Sequence, residues 1–494
     1  MKDVYVKNWK KFPVSAQPSG ECAKRLQLAS ERLHKSDFYS LDDLYKRNVN
    51  VWPGDFPGRV MLAWHQYSQI FQQQDADLAK ALELYPHNCN SLGYLGTVHE
   101  NMLDEQQLSG HGWLLRAMAE LYTTDPQERY RQIAQDVFEH LALPLEKYLD
   151  DYPLNDGHRT ASGAVDGSAD RCVGVWQLST DVGAVFIFFA GLVHAAEVFA
   201  LPAEKILKKF VELAGRVEFL KTRYQTHASL TLARALLRYS RVFQDKAAED
   251  LAVKIYDIYR SNAMTANGAN YNWFCRPEWT EPCAVVDSFM VAMELFRRSG
   301  KNDYLEDAHK IWFSAFLRQR PSGGFGTDNC ACDSEDTLYV KLYEAVHCCN
   351  MRAAEGFHEA LLRGMYCCGD TLFITLPIPG VFEFADGLTV ELATVYPQGD
   401  IWELKILAQG SSKVKNVRCY ITGNGWMESS GSCQTFELAK RFAEDRKSFS
   451  LYRGPLMYGS NVAGELQPVS SLYLLTEAQA REEKLKVIFK NNDF

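Results

Sequence analysis

The stretch 370–377, DTLFITLP, is where the chain changes its period. Leu372, Ile374 and Leu376 recur at every second position, which lays their side chains on one face of a strand. Upstream the spacing is helical: Leu251, Ile255, Ile258 and Tyr259 share one face, as do Tyr304, Ala308, Ile311, Trp312 and Ala315. Asn302 and Asp303 precede the second group as capping candidates. Downstream, Trp402, Leu404 and Ile406 alternate, then Val417, Cys419 and Ile421, and Asp386-Gly387 marks a hairpin turn. These periods predict a helical domain over residues 1–370 and an antiparallel β-sandwich over 371–494. The opening DVYVK is a candidate for one further strand. KIYDIYR at Lys254 and KIWFSAFLR at Lys310, with related helices near Ile133 and Ile206, form a faint repeat. It fits helical hairpins closed into a toroid and, equally well, independent helices in a bundle.

A chain of 494 residues exceeds what one core usually holds. Its 47% apolar and 23% charged residues are ordinary for a soluble enzyme. A net charge of -9 and the lack of any basic run argue against a nucleic-acid partner. MKDVYVKNWKKF has no apolar core of a secretory signal. The most apolar run, Val182 to Ala200, contains His194 and Glu197, so it reads as a buried helix and no membrane association is expected. Thirteen cysteines, an odd number, point to reduced thiols and a cytoplasmic location. The expected assembly is a homodimer.

VHCCNMRAAEGF, residues 346–357, puts two thiols side by side at the start of a helix. Upstream, EWTEPCAVVDS places Glu281 two residues before Cys283, where a turn aims both side chains at one point. Three sulfurs and a carboxylate have the composition of a four-coordinate zinc site. Spacing alone leaves competitors open: Cys330 and Cys332 in DNCACDSED, Cys367 and Cys368 in GMYCCGDT, and the plain alternative that all are small buried hydrophobes. SGGFGTDN, residues 322–329, lacks the Lys-Ser/Thr ending of a phosphate loop and reads as a turn.

Several segments run in a telling order: LSGHGWLLRAM around His111, HASLTLARAL at His227, EPC at Glu281, HCCNMR, then GDTLFITLPIPG, VYPQGD and LYRGPLMYG. Together they resemble the beta-L-arabinofuranosidase family of glycoside hydrolases, family 127. The resemblance implies an (alpha/alpha)6 barrel carried with a β-sandwich. It further implies Zn2+ held by Glu281, Cys283, Cys348 and Cys349, with Cys348 also the nucleophile of a retaining mechanism. A small-molecule or oligosaccharide substrate would contact His111 and His227.

Two departures accompany it. The family's acid/base glutamate falls at Asn272, followed by Trp273 and Phe274, and an amide cannot donate and recover a proton. Asn272 and Trp273 become substrate-lining candidates, with Tyr271 and Trp279 beside them. Glu278 is the nearest acid/base candidate, although its spacing from Glu281 does not match. A His-Lys pair of the family is replaced by Phe186 and Ile187. A non-hydrolytic enzyme (lyase, isomerase or transferase) acting on a less polar molecule is therefore the alternative, and a purely structural zinc site the third reading. His347 is a candidate supporting partner of the doublet.

Overall fold

The computed structural model describes residues 10–47, 49–154, 169–276, 280–316, 319–325, 327–330, 337–342, 344–398, 401–410, 414–430, 433–439, 442–445, 450–453, 455–460, 466–469 and 484–488. Helices and sheets are both well represented. In chain order the longer helices are α1 (Gly20–His34), α2 (Asp55–Phe71), α3 (Ala76–Leu84), α4 (Glu105–Thr124), α5 (Glu128–Val137), α6 (Val185–Phe199), α7 (Glu204–Gly215), α8 (Thr226–Phe243), α9 (Lys246–Asn262), α10 (Pro282–Ser299), α11 (Asn302–Lys310) and α12 (Cys349–Arg363).

Burial separates them into two sets. α5 buries Tyr130, Ile133, Ala134 and Val137, the single stripe of an outer helix. α6 is buried along nearly all its length, from Val185 to Ala195. α2, α4, α6, α8, α10 and α12 each pack on the next, and α12 returns to α2, closing a ring. The intervening helices pack outside it: α5 on α4, α7 on α6, α9 on α8 and α11 on α10.

Residue pairs across the ring fix its polarity. Between α4 and α6, Gly112 lies against Ile187, and Glu120 faces His194 further along. Between α8 and α10, His227 meets Asp287, and Arg298 reaches the Leu237 carbonyl. Between α10 and α12, Cys283 faces Cys349, and Arg297 faces Glu359. Neighbours advance together, so the ring helices are parallel and their N-termini share one end. The apolar run that begins at Val182 is α6, and no described helix is long and apolar enough to cross a membrane.

Strands Lys10–Lys11, Met365–Cys368, Thr371–Ile374, Asn416–Ile421 and Gly425–Ser430 form one sheet. Pro13–Pro18, Gly380–Phe384, Thr389–Thr394, Ile401–Gln409 and Cys433–Ala439 form another. The Asp386-Gly387 turn joins two of these strands, with Gly387 at φ 82° and its N–H on the Phe384 carbonyl at 3.0 Å.

Three expectations are corrected, and a fourth falls outside the described residues. The sheets are not wholly antiparallel, because Asn416–Ile421 runs parallel to Thr371–Ile374. Strands also arise inside the helical region, where Thr327–Cys330 and Thr337–Leu342 join a sheet completed by Lys484–Ile488. DVYVK lies outside the described residues; Lys10–Lys11 and Pro13–Pro18, which follow it, are edge strands of the two sheets. Asn302 caps nothing, since Lys301 is the N-cap of α11; the Asn302 Oδ1 instead accepts the Trp426 indole N–H at 3.1 Å.

α4 and α6 approach through glycines. A Cβ on Gly112 would sit 2.3 Å from the Ile187 carbonyl oxygen, and one on Gly191 would sit 2.2 Å from the Gly112 oxygen. Backbone cannot yield there as a flexible side chain would. Gly112→Ala is expected to destabilise the protein by about 1–3 kcal/mol through overpacking, measured by denaturant unfolding.

Candidate active site

The shared end of the ring collects the thiols. Glu281 is the N-cap residue of α10, Pro282 occupies its first turn and Cys283 follows. The Glu281 backbone is pinned on both sides by Asn270, whose Oδ1 accepts its N–H at 2.9 Å and whose Nδ2 donates to its carbonyl at 3.1 Å. The Glu281 side chain makes no capping hydrogen bond, so its carboxylate is turned to other use. Cys348 is the N-cap residue of α12 and Cys349 begins that helix. The turn before it is held by Asn350, which donates to Tyr39 Oη at 2.7 Å and accepts from the Phe325 N–H at 2.6 Å.

Ligand atoms of Glu281, Cys283, Cys348 and Cys349 lie within 4.8 Å of one another. Sγ–Sγ separations are 3.9 Å for Cys283–Cys349 and 3.5 Å for Cys348–Cys349, and all three are free thiols. Tetrahedral zinc with bonds near 2.3 Å needs sulfurs roughly 3.8 Å apart, so the donor set fits that ion. Burial is uneven: Cys283 and Cys349 are 1% exposed, whereas Cys348 is half-buried. The ring thus closes fully over Cys283 and Cys349 and leaves Cys348 partly open.

Packing acids together in a dry site disturbs their titration. Burial and the neighbouring Cys283 push the Glu281 carboxyl well up, and burial raises the Cys283 and Cys349 thiols. Cys348 moves the other way, because the Cys283 and Cys349 thiols hydrogen-bond to its sulfur. Arg59 is the nearby cation: its Nη1 is 3.9 Å from Cys283 Sγ, its Nε donates to Asp55 at 2.8 Å, and it lies 3.9 Å over the Trp113 ring. Such a concentration of acidic groups around one guanidinium favours a further bound cation.

One turn below, buried Asp287 accepts from His227 Nδ1 at 2.6 Å, from Arg234 at 2.6 Å and from Arg352 at 2.5 Å. Burial alone would raise its pKa, but Arg352, His227 and Arg234 hold it well below the carboxylate range. This acid fixes His227 with Nδ1 toward Asp287, and the buried Nε2 has no hydrogen-bond partner among the described residues.

Other expected positions fall differently. His111 is buried with both ring nitrogens engaged: Nδ1 donates to the Gln107 carbonyl at 2.7 Å and Nε2 accepts from the Leu95 N–H at 3.1 Å. It is a neutral structural residue without a nitrogen to offer a sugar. Trp273 is 2% exposed with Arg276 5.1 Å from its ring, which leaves no open face for stacking. Asn272 is buried, and its carbonyl accepts from the Thr226 N–H at 2.8 Å beside His227. Glu278 and Trp279 lie outside the described residues, as does Cys332. His347 is exposed and packs edge-on against Phe38. Phe186 and Ile187 are buried in the ring, and Cys367 is buried in a strand. A cavity of about 810 Å³ at the opposite end of the ring is lined by Arg238, Arg241, Arg297 and Arg298 among others, and touches none of the four candidate ligands.

One carboxyl escaped the sequence reading. Asp181, in the turn before α6, is half-buried and interacts electrostatically with Arg59, Cys283 and Glu281; burial, then Glu105, pushes its pKa up to about 7. No motif marks it.

Solved structures share this architecture. A GH127 beta-arabinofuranosidase superposes with a TM-score of 0.62 at 12% identity, covering 92% of this chain and 86% of its own. A GH127 beta-L-arabinofuranosidase from Geobacillus stearothermophilus T6 gives 0.60 at 11%, covering 91% and 86%. A third, a glycoside hydrolase, gives 0.63 at 12%, covering 93% and 85%. The likeness is one of fold. No protein-family model and no curated protein matches the sequence.

Two outcomes follow. Metal analysis is expected to find one ion per chain, and Cys283→Ala to lose most of it when dialysed against a weak chelator, since a three-donor site holds zinc less tightly. Acid should also weaken the fold. Burial lowers the His111 pKa from 6.5 to about 4, so the unfolded chain binds more protons between those values and stability falls as pH drops through that range. In His111→Gln that fall, read by urea unfolding, should be smaller by up to about 3 kcal/mol.

Proposed function

We propose that this chain is a retaining glycoside hydrolase of the beta-L-arabinofuranosidase type, with Cys348 as nucleophile. The uneven burial of the three cysteines, with Cys348 partly open at the end of the ring, carries the reading, because a purely structural zinc site would be closed to solvent. In it, the closed ring within residues 1–370 is an (alpha/alpha)6 barrel. The strands of 371–494 form a β-sandwich, which also takes in Lys10–Lys11 and Pro13–Pro18 at its edges.

Glu281, Cys283, Cys348 and Cys349 would hold zinc, which when bound keeps a coordinated sulfur deprotonated at neutral pH. The Cys348 sulfur attacks the anomeric carbon as the bond to the leaving oxygen breaks, giving a thioglycosyl-enzyme. Water then displaces the sulfur, and two inversions return the original configuration. Asp287 orients the buried His227, whose unpartnered Nε2 would pair with a sugar hydroxyl once substrate opens a path to it. Arg59 places fixed positive charge beside the sulfurs.

A second reading rests on buried Asn272 and the apolar Phe186 and Ile187: lyase, isomerase or transferase chemistry on a less polar molecule. One assay separates the two. The wild-type protein should hydrolyse 4-nitrophenyl β-L-arabinofuranoside with retention, and Cys348→Ala should lose at least about a thousandfold in kcat. Metal-bound wild-type protein that cleaves no furanoside would favour the second reading.

A further inference from the structure

A retaining glycosidase needs a second group besides its nucleophile, to protonate the departing oxygen and later deprotonate water. Asn272 cannot serve. The hydrogen bonds of the described carboxylates around the cluster narrow the choice. Asp55 is bound by Arg59 at 2.8 Å, and Asp287 by His227 and two arginines. Glu105 takes the Tyr152 hydroxyl and the N–H groups of Ser179 and Val185 at 2.8 and 3.3 Å. Glu344 is held by Arg32 and Asn350, Glu355 by Arg116 and Arg352, and Glu281 belongs to the ligand set.

Asp181 alone in this group makes no side-chain hydrogen bond among the described residues. Only its backbone is engaged, the N–H on Ser179 Oγ at 3.0 Å and the carbonyl by the Ala184 N–H at 3.0 Å. A helix-capping role is excluded, because α6 has no side-chain cap. The turn is held firmly all the same: Glu105 clasps it at Ser179 and Val185, and the Gln225 N–H donates to the Val182 carbonyl at 3.1 Å. Gln225 also bridges to Trp273, and Thr226 to Asn272, so Asp181 borders the same rim as the position where the expected glutamate is missing. Its half-exposure matches that of Cys348.

We propose that Asp181 is the general acid/base of this site. It rests on the glycosidase reading above. In the first step the Asp181 carboxyl gives its proton to the departing oxygen while the carbon–oxygen bond breaks and the Cys348 sulfur–carbon bond forms. In the second the Asp181 carboxylate takes a proton from water as that oxygen bonds to the anomeric carbon and the sulfur leaves with its electron pair.

The test compares wild type, Asp181→Asn and Glu278→Gln on 4-nitrophenyl and methyl β-L-arabinofuranoside. With Asp181→Asn, methyl glycoside hydrolysis should fall about 100- to 10,000-fold. The nitrophenyl glycoside needs little acid help, so it should still load the enzyme, and mass spectrometry should show one pentosyl unit accumulated on Cys348. Azide attacks without a general base and should restore turnover, yielding the arabinofuranosyl azide of retained configuration. That rescue also establishes that the variant is folded. Methyl glycoside turnover within threefold of wild type, failure of azide rescue at unchanged metal content, or rescue in Glu278→Gln instead would overturn the assignment. Inactivity of the wild-type protein on both glycosides would overturn the glycosidase reading itself, a result distinct from each of these.

Discussion

Helices α2, α4, α6, α8, α10 and α12 point their N-termini to one end of the ring, and the chemistry depends on that polarity. The alternation of ring and outer helices enforces it, because each outer helix carries the chain back before the next ring helix begins. Each N-terminus contributes roughly half a positive charge, so one end favours anions and the other cations. The side chains obey. Asp55, Asp181, Glu281 and the three thiols gather at the first end, while Arg238, Arg241, Arg297 and Arg298 line the cavity at the second. The basic cavity thereby has a structural explanation, completed by carboxylates such as Glu197 and Glu294 that pair with those arginines.

The sulfurs need more than a common end; α10 and α12 must also hold their axial alignment. A buried layer of charge one turn below supplies this. Asp287 follows Cys283 by one helical turn, Arg352 follows Cys349 likewise, and the two meet at 2.5 Å. Sliding either helix by a turn would leave a buried ion without its partner, a cost of several kcal/mol. Trp113 fills the centre, with Arg59 at 3.9 Å, Arg116 at 4.5 Å and Arg352 at 4.8 Å from its ring. The layer penalises any axial slip of the two helices, and in this alignment Cys283 and Cys349 lie 3.9 Å apart.

What the sequence disclosed follows how local each signal is. The change of period at Leu372 and the turn at Asp386-Gly387 need only neighbouring residues, and both were readable. Glu281, Cys283 and the Cys348–Cys349 doublet were readable through motif resemblance, and the ring brings them together. His111 and Trp273 show the limit of that method: a side chain in a matching segment can be consumed by packing, as the His111 bonds to Gln107 and Leu95 are. The pairing of Pro13–Pro18 with Gly380–Phe384 spans most of the chain and leaves no local trace. Asp181 was invisible for a related reason. Its environment comes from α2, α4 and α10, and nothing adjacent to it in sequence announces them.

Placing the spare carboxylate at Asp181 rather than at residue 272 has an electrostatic consequence. Four acidic candidate ligands already crowd the mouth of the ring, and another ionised group there raises the pKa of each of its neighbours. An amide at 272 removes one such charge, so the total near the cluster is kept when Asp181 supplies it from the turn before α6 instead. The reaction fixes where a proton must be delivered, on the leaving oxygen opposite the sulfur's attack, and it does not fix which strand or turn of the rim delivers it. Phe186 and Ile187, just inside α6 and fully packed, make that turn a rigid one. Under the proposed assignment, Asn272 and the apolar start of α6 belong to one rim, in which a firmly clasped turn carries the acid/base.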